Sequence, residues 1–405
     1  MRRNNLPRVP HGLSTMTMCW RCIIYILYSF SSHACHNRLF LYAFNITMWL
    51  DSPTCILYIY NMQKKGRHHW VKSLAATRKE TLTKYFDDVY NISGITVFTF
   101  SEIDKRLYES SVSSSKAVSD KRPLLGDLLR DLKMASRSVE GLLKYLVEND
   151  ILTNVEARSG EETQWIFCSK HFEKKSVFAG ILEIANSLIP KGYFSHYTAL
   201  QLHGLTDQIP KIVYTNVEQK MMYDVEEARE KLTQHKIDLA FRGNVRKGKK
   251  VIEVMDYNIK VLHGKDTKNT GVIRNESPGV PISVTSLERT LIDACVRPEL
   301  CGGIHEVVKA YALAAREGIS VKRIAKYLAD INYVYPYHQA VGFLLEMTGH
   351  EESTLRSLKD NFPMEYDFYL LHGKINKNRE NLAYSKAWRI FVPKEMLHNT
   401  PPRSH

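Results

Sequence analysis

Two histidines seven residues apart, His196 and His203, stand in the stretch YFSHYTALQLHGL (193–205), with Ser195, Thr198 and Asp207 close by. Histidine, hydroxyl and carboxylate together are the raw material of a metal site or of nucleophilic catalysis. Helical spacing argues against a shared metal. Two turns separate the imidazoles, roughly 10.5 Å along the axis at 1.5 Å per residue. One tetrahedral zinc takes nitrogens at about 2.0–2.1 Å, so a straight helix cannot bring both to it. The stretch reads as a short helix with Ser195 as N-cap and Gly204 in the left-handed position that closes it. His203, in the last turn, complements the negative end of the helix dipole.

Two further groups invite a catalytic reading. Glu218-x-Lys220 follows the strand-like KIVYTNV, with Asp207 eleven residues before the glutamate. Acid…acid-x-Lys is the pattern by which many nucleases hold a magnesium ion and orient water. In those sites the first acid lies on a strand beside the second, whereas Asp207 follows a helix end. The stretch VTSLERTLIDACVRPELCGG (284–303) offers Glu288, Arg289 and Asp293. Its spacing favours a structural role. Thr285 and Glu288 form a capping box. Leu287, Leu291, Ala294 and Cys295 make a buried stripe. Arg289 and Asp293 form an i, i+4 pair expected on the exposed side. Phosphate loops, nucleophile elbows, zincin helices and dinucleotide fingerprints are not found in the chain. The reading is of a protein that is not an enzyme and needs no cofactor and no metal.

A different chemistry is written in LLGDLLRDLKMASRSVEGLLKYLVENDILTNVEARSGEETQWIF (124–167). A short amphipathic helix, Leu124 to Lys133, precedes a tight turn at Met134–Ser136. A second helix runs from about Arg137 to Asn149, with Val139, Leu142, Leu143 and Leu146 on one face. ILTNVEA and TQWIFC then flank RSGEE as strand, turn and strand. Helix, turn, helix and hairpin is the layout of a winged helix-turn-helix. DNA is densely negative, and its major groove admits an α-helix. Away from its leucines, the second helix presents Arg137, Ser138, Glu140, Gly141, Lys144, Tyr145 and Glu148. The candidate DNA-binding set is Ser136, Arg137, Ser138 and Lys144 toward the major groove, with Arg158 at the hairpin reaching a phosphate. Glu140 and Glu148 make that face less basic.

Around these groups the pattern alternates helices and strands. Residues 71–90 read as a helix with Leu74, Leu82, Phe86 and Val89 inward, then ITVFTF as a strand, then a helix N-capped by Ser101. The serine-rich 109–123 reads as a loop. SVFAGILEIANSLI is a helix stopped by Pro190, and VEEAREKLTQHK is helical. DLAFRG, KVIEVMDYNIKVLHG and VPISV read as strands. From 285 to about 348 the chain is mostly helical, with another helix near 353–360 and strands at YDFYLL and WRIFVP.

The chain of 405 residues is basic, with 56 Lys+Arg against 43 Asp+Glu and a formal charge of +13. That balance favours a polyanionic partner without choosing nucleic acid, anionic membrane or acidic protein. Residues 1–61 differ from the rest. They hold five arginines, no lysine, one acid and four of the seven cysteines. Their apolar runs CIIYILYSF and LFLYAFNITMWL are each shorter than the roughly 20 residues a spanning helix needs. CWRC has zinc spacing but lacks a second pair of ligands. The expectation is upstream sequence translated from a misplaced start, with the protein proper beginning near Met62. Cys168, Cys295 and Cys301 then remain, a set that suits reduced thiols in the cytoplasm.

The succession of GYFSHYTALQLHGLTDQIPKIVYTNVEQ (192–219), VTSLERTLIDACVRPELCGGIHEVVKAYA (284–312) and AVGFLLEMTG (340–349), behind a helix-turn-helix, resembles the AbiEi-type antitoxins of bacterial type IV toxin–antitoxin systems. The likeness covers roughly residues 85–350; residues 1–61 match nothing in that family, and the 109–123 loop is long for it. The resemblance implies a DNA-binding N-terminal domain that represses its own operon. It also implies a C-terminal domain that counteracts a nucleotidyltransferase toxin without a stable complex. The expected fold is α+β, with a winged helix-turn-helix at 80–175 and a mixed α+β antitoxin domain at 176–395. The expected partner is double-stranded DNA at its own promoter, and no membrane. Two alternatives stay open: a metal-dependent nuclease using Asp207, Glu218 and Lys220, and a protein-interaction module with no DNA role.

Overall fold

The computed structural model describes residues 75–108, 124–134, 138–220, 224–243, 250–275, 281–373 and 379–398. The atypical 1–61 segment and the serine-rich loop lie outside these residues. Helix α1 spans 75–93 and buries Leu82, Tyr85, Phe86 and Val89, one helical face. Strand β1 (Val97–Thr99) leads directly into α2 (Phe100–Tyr108). The cap of α2 is Thr99 rather than Ser101. Thr99 Oγ1 accepts from the Glu102 amide at 3.3 Å, and Glu102 accepts the Thr99 amide at 2.8 Å. Helices α3 (Leu125–Asp131) and α4 (Val139–Glu148) follow. Ser138 caps α4, its Oγ accepting from the Gly141 amide at 3.1 Å. Val139, Leu142, Leu143 and Leu146 are buried, as their spacing predicts, in a core shared with α1, α2 and α3.

Strands β2 (Leu152–Ser159) and β3 (Glu162–Ser169) form a hairpin closed at the Ser159–Glu162 pair. Gly160, at φ +64°, takes the turn position that disfavours other side chains. The hairpin does not stand free. Ala157 pairs with Val254 and Arg158 with Glu253, joining β2 to β6 (Val251–Val254). Nine strands among the described residues thereby form one sheet, in the order β1-β3-β2-β6-β7-β5-β4-β9-β8. Here β4 is Tyr193–Phe194, β5 Ile212–Gln219, β7 Tyr257–Lys265, β8 Val272–Asn275 and β9 Ile282–Thr285. The β5–β7 and β4–β9 pairs are parallel and the rest antiparallel, so the fold is mixed α+β. One sheet runs across residue 175, where the expected boundary between the winged helix-turn-helix and the α+β domain falls.

Alternation along the strands gives the sheet two faces. Ile166, Cys168, Ala157, Val254, Ile259 and Val213 line one, beneath Ile181, Leu182 and Ile184 of α5 (Val177–Leu188). The other face meets a helical lobe through Tyr214 and Leu262. That lobe is built from α6 (His196–Leu202), α7 (Val225–Glu230), α8 (Gln234–Arg242), α9 (Leu287–Val296), α10 (Ile304–Arg316), α11 (Val321–Ile331), α12 (Tyr337–Met347) and α13 (Glu352–Asn361). DLAFRG belongs to α8 and is not a strand. Thr233 starts a fresh helix by accepting from the Lys236 amide, and Ile237 and Phe241 point inward four residues apart. A small sheet, β10-β12-β11 (Phe368–Tyr369, Ile390–Pro393, Leu382–Ser385), packs against the lobe around the fully buried Trp388. Among the described residues no helix is long and apolar enough to cross a membrane.

Glu183, on α5, fastens that helix to the start of β1. Its carboxylate, 2% exposed, accepts from the amides of Thr96 and Val97, from Thr96 Oγ1 at 2.6 Å and from Lys175 Nζ at 2.6 Å. Replacing it by alanine leaves two main-chain donors unmet and the Lys175 ammonium, nearly buried, with the Gly94 carbonyl at 3.0 Å but no counter-charge. A cost of about 3–5 kcal/mol is expected. Urea denaturation of Glu183→Ala measures it, and a loss below about 1 kcal/mol would show that the strut is dispensable.

Candidate nucleic-acid interface

The predicted DNA-facing residues divide into three groups. Ser136 and Arg137 lie outside the described residues. Ser138 is exposed at the start of α4, but its hydroxyl oxygen is engaged as the cap. Lys144 projects from the exposed face, 3.7 Å from Glu148 in an i, i+4 pair. Together with Glu140 these form a line at i, i+4 and i+8, two acids and one base, with Gly141 and Tyr145 half-buried beside it. Arg158 sits in β2, one residue short of the turn, and pairs with Glu156 at 2.5 Å. The Glu156 hydrogen bond raises its pKa first, with smaller Coulombic help from Glu156 and Glu253. A phosphate would compete with these carboxylates for the guanidinium.

Leu152 on β2 and Phe98 on β1 join α4 in its core, and Phe167 on β3 packs against that cluster. Trp165, two residues from Phe167, shares the sheet face and is 48% exposed opposite Glu156. The face therefore runs from the leucines of α4 to an open floor bearing Trp165, Thr163 and Arg158. Sequence reading passed over Trp165. The strand alternation that buries Ile166 and Cys168 on the other side was the available signal.

The alternative acid…Glu-x-Lys set has another use for its glutamate. Glu218, near the carboxyl end of β5, accepts from Tyr193 Oη at 3.0 Å, the Thr267 amide at 2.8 Å, the Asn269 amide at 3.1 Å and Thr267 Oγ1. It holds the loop between β7 and β8, in which Lys268 and Asn269 are both left-handed, at φ +54° and +56°. Asp207 is exposed, ahead of the amino end of the same strand. Among the described residues no group of three or more His, Cys, Asp or Glu side chains is arranged to hold a metal ion.

The 284–303 stretch is structural, with corrections. Ser286, not Thr285, caps α9, accepting from the Arg289 amide at 3.4 Å, while Thr285 is buried at the end of β9. Arg289 and Asp293 are not on the exposed side. Both are at least nine-tenths buried and pair at 2.8 Å. Arg289 also donates to the Thr270 carbonyl at 2.5 Å and to Thr267 Oγ1 at 3.3 Å, so it grips the loop that Glu218 holds from the other end. Glu288 takes Arg323 of α11 at 3.0 Å. Burial of a charged pair costs several kcal/mol per ion unless hydrogen bonds complete it, and these contacts do so.

The two histidines are packing groups. Ser195 stands at the N-cap of α6, but its Oγ bonds His196 Nδ1 at 2.8 Å instead of a backbone amide. His196 is buried with a left-handed φ of +53°. His203 bonds the Thr285 carbonyl at 2.7 Å, tying α6 to β9, and Gly204 closes the helix at φ +68°. Burial pushes His196 and His338 each down to about 4, and holds His350 and His372 below the usual range.

No protein-family model matches the chain, and no curated protein matches it. A crystal structure of the RV2827C protein from Mycobacterium tuberculosis is similar to it at 11% identity and a TM-score of 0.43. The similarity covers 78% of this chain and 94% of that one.

The neutral histidines fix a pH dependence. Their unfolded forms take up protons from about pH 6.5 downward, and the folded His196 and His338 only near 4. The unfolded state therefore binds more protons between those values. Stability falls as pH drops through that window, by on the order of a few kcal/mol. Equilibrium urea unfolding at pH 7, 6 and 5 tests it. A midpoint unchanged from pH 7 to 5 would contradict the burial of these imidazoles.

Proposed function

We propose that the chain is a DNA-binding antitoxin that represses its own operon and opposes a nucleotidyltransferase toxin without forming a stable complex with it. In this reading residues 80–175 are a winged helix-turn-helix, with α4 as the recognition helix and β2–β3 as the wing, and the protein works in the cytoplasm. The observation that carries it is α4 itself. Its leucine face is sunk in the core, its Ser138-capped end is at the surface, and a tight hairpin follows. The family resemblance supplies the antitoxin role.

Electrostatics set limits on how such a site works. Residues 124–169 carry five basic against eight acidic side chains. Nonspecific attraction to phosphate is then weak, and base contacts must supply most of the affinity. The acid excess also favours a second reading, a protein-interaction module that never meets DNA.

A gel shift on the DNA immediately upstream of the coding sequence separates the two. Wild type is expected to retard a duplex there, and Arg137→Ala with Lys144→Ala to weaken binding about tenfold or more. Equal binding by that variant moves the contact surface elsewhere. No retardation of any upstream fragment moves the assignment to the interaction module.

A further inference from the structure

We propose that Glu140 is a specificity-determining residue, reading a cytosine in the major groove by accepting from its N4 amine. The inference rests on the DNA-binding reading of α4. Of the three charged side chains in the exposed line, Lys144 and Glu148 neutralise one another at 3.7 Å. Glu140 is exposed in the first turn of the ten-residue helix and has no hydrogen-bond or ion-pair partner among the described residues. The first turn is where a docked recognition helix meets base edges.

An ionised carboxylate there repels phosphate and has acceptor oxygens only. It lowers affinity for every sequence except one that presents a donor. The major groove offers two amine donors, adenine N6 and cytosine N4. Adenine places its N7 acceptor beside the amine, which opposes a carboxylate. Cytosine presents N4 with no acceptor of its own in the groove, so the charge selects a C·G pair. Glu140 thus turns the poor electrostatics of this segment into discrimination. Wrong sequences meet an uncompensated negative charge, and the right one relieves it.

Selection from a randomised duplex library with the full chain, followed by gel shifts on the selected duplex, tests this. Wild type is expected to fix a C·G pair at one position. Glu140→Ala should relax that position alone, by about tenfold in relative affinity, while binding unrelated duplexes more tightly. Glu140→Gln, whose amide suits adenine N6 and N7, should shift the preference there from cytosine to adenine. Thermal melts of both variants check that the helix persists. If wild type selects and binds no duplex, the DNA-binding reading itself fails. If wild type binds but either variant leaves the base preference unchanged, Glu140 is only a favourable charge at a helix N-terminus and the proposal is overturned.

Discussion

The carboxylate of Glu183 is the constraint on which the arrangement of this protein depends. The N-terminal helices share a small core of their own, and β1, β3 and β2 continue it into the large sheet. Glu183 locks α5 onto that continuation by gathering two main-chain amides at the start of β1, a threonine hydroxyl and the Lys175 ammonium around one buried charge. A charge so placed is tolerated only when every donor is in position. The penalty for misplacement converts a packing contact into a defined geometry where α5 meets β1.

The C-terminal part uses the same device twice. Glu218 and Arg289 approach the loop after β7 from opposite sides and share Thr267. Between them they hold two consecutive left-handed residues that are unfavourable for L side chains. Asp293 balances Arg289, and Tyr193 extends the chain of bonds from Glu218 to Asn216. The polar residues that look most like chemistry in the sequence are spent on fixing backbone.

That explains what was legible and what was not. The leucine spacing of α4, the hairpin around Gly160 and the helix at 196–202 closed by Gly204 follow from local periodicity and turn chemistry, and the structure has each of them, without the Ser195 side-chain cap. The burial of Arg289 and Asp293 was not legible, because an i, i+4 ion pair has the same spacing whether water or a threonine-rich loop faces it. DLAFRG reads as a strand through its apolar alternation, and only the cap at Thr233 reveals the helix. The pairing of β2 with β6 joins residues almost a hundred positions apart, and no local signal announces it. As for the candidate interface, the sequence displays its residue types. It does not show that Lys144 and Arg158 each already answer to a glutamate.

The join between β2 and β6 is a narrow place in the sheet, as is that of β4 with β9, where Phe194 and Val284 make one pair. Two residue pairs, Ala157 with Val254 and Arg158 with Glu253, hold there, against eight in the hairpin and eight between β5 and β7. Strand pairing that brief contributes little cooperativity. The N-terminal helices keep a hydrophobic cluster of their own, but a second one, with Ala157, Ile166 and Cys168 on one side and Val254, Ile259 and Val213 on the other, crosses the join. The backbone stitch is short, and the side chains beneath α5 carry the continuity of the sheet across it.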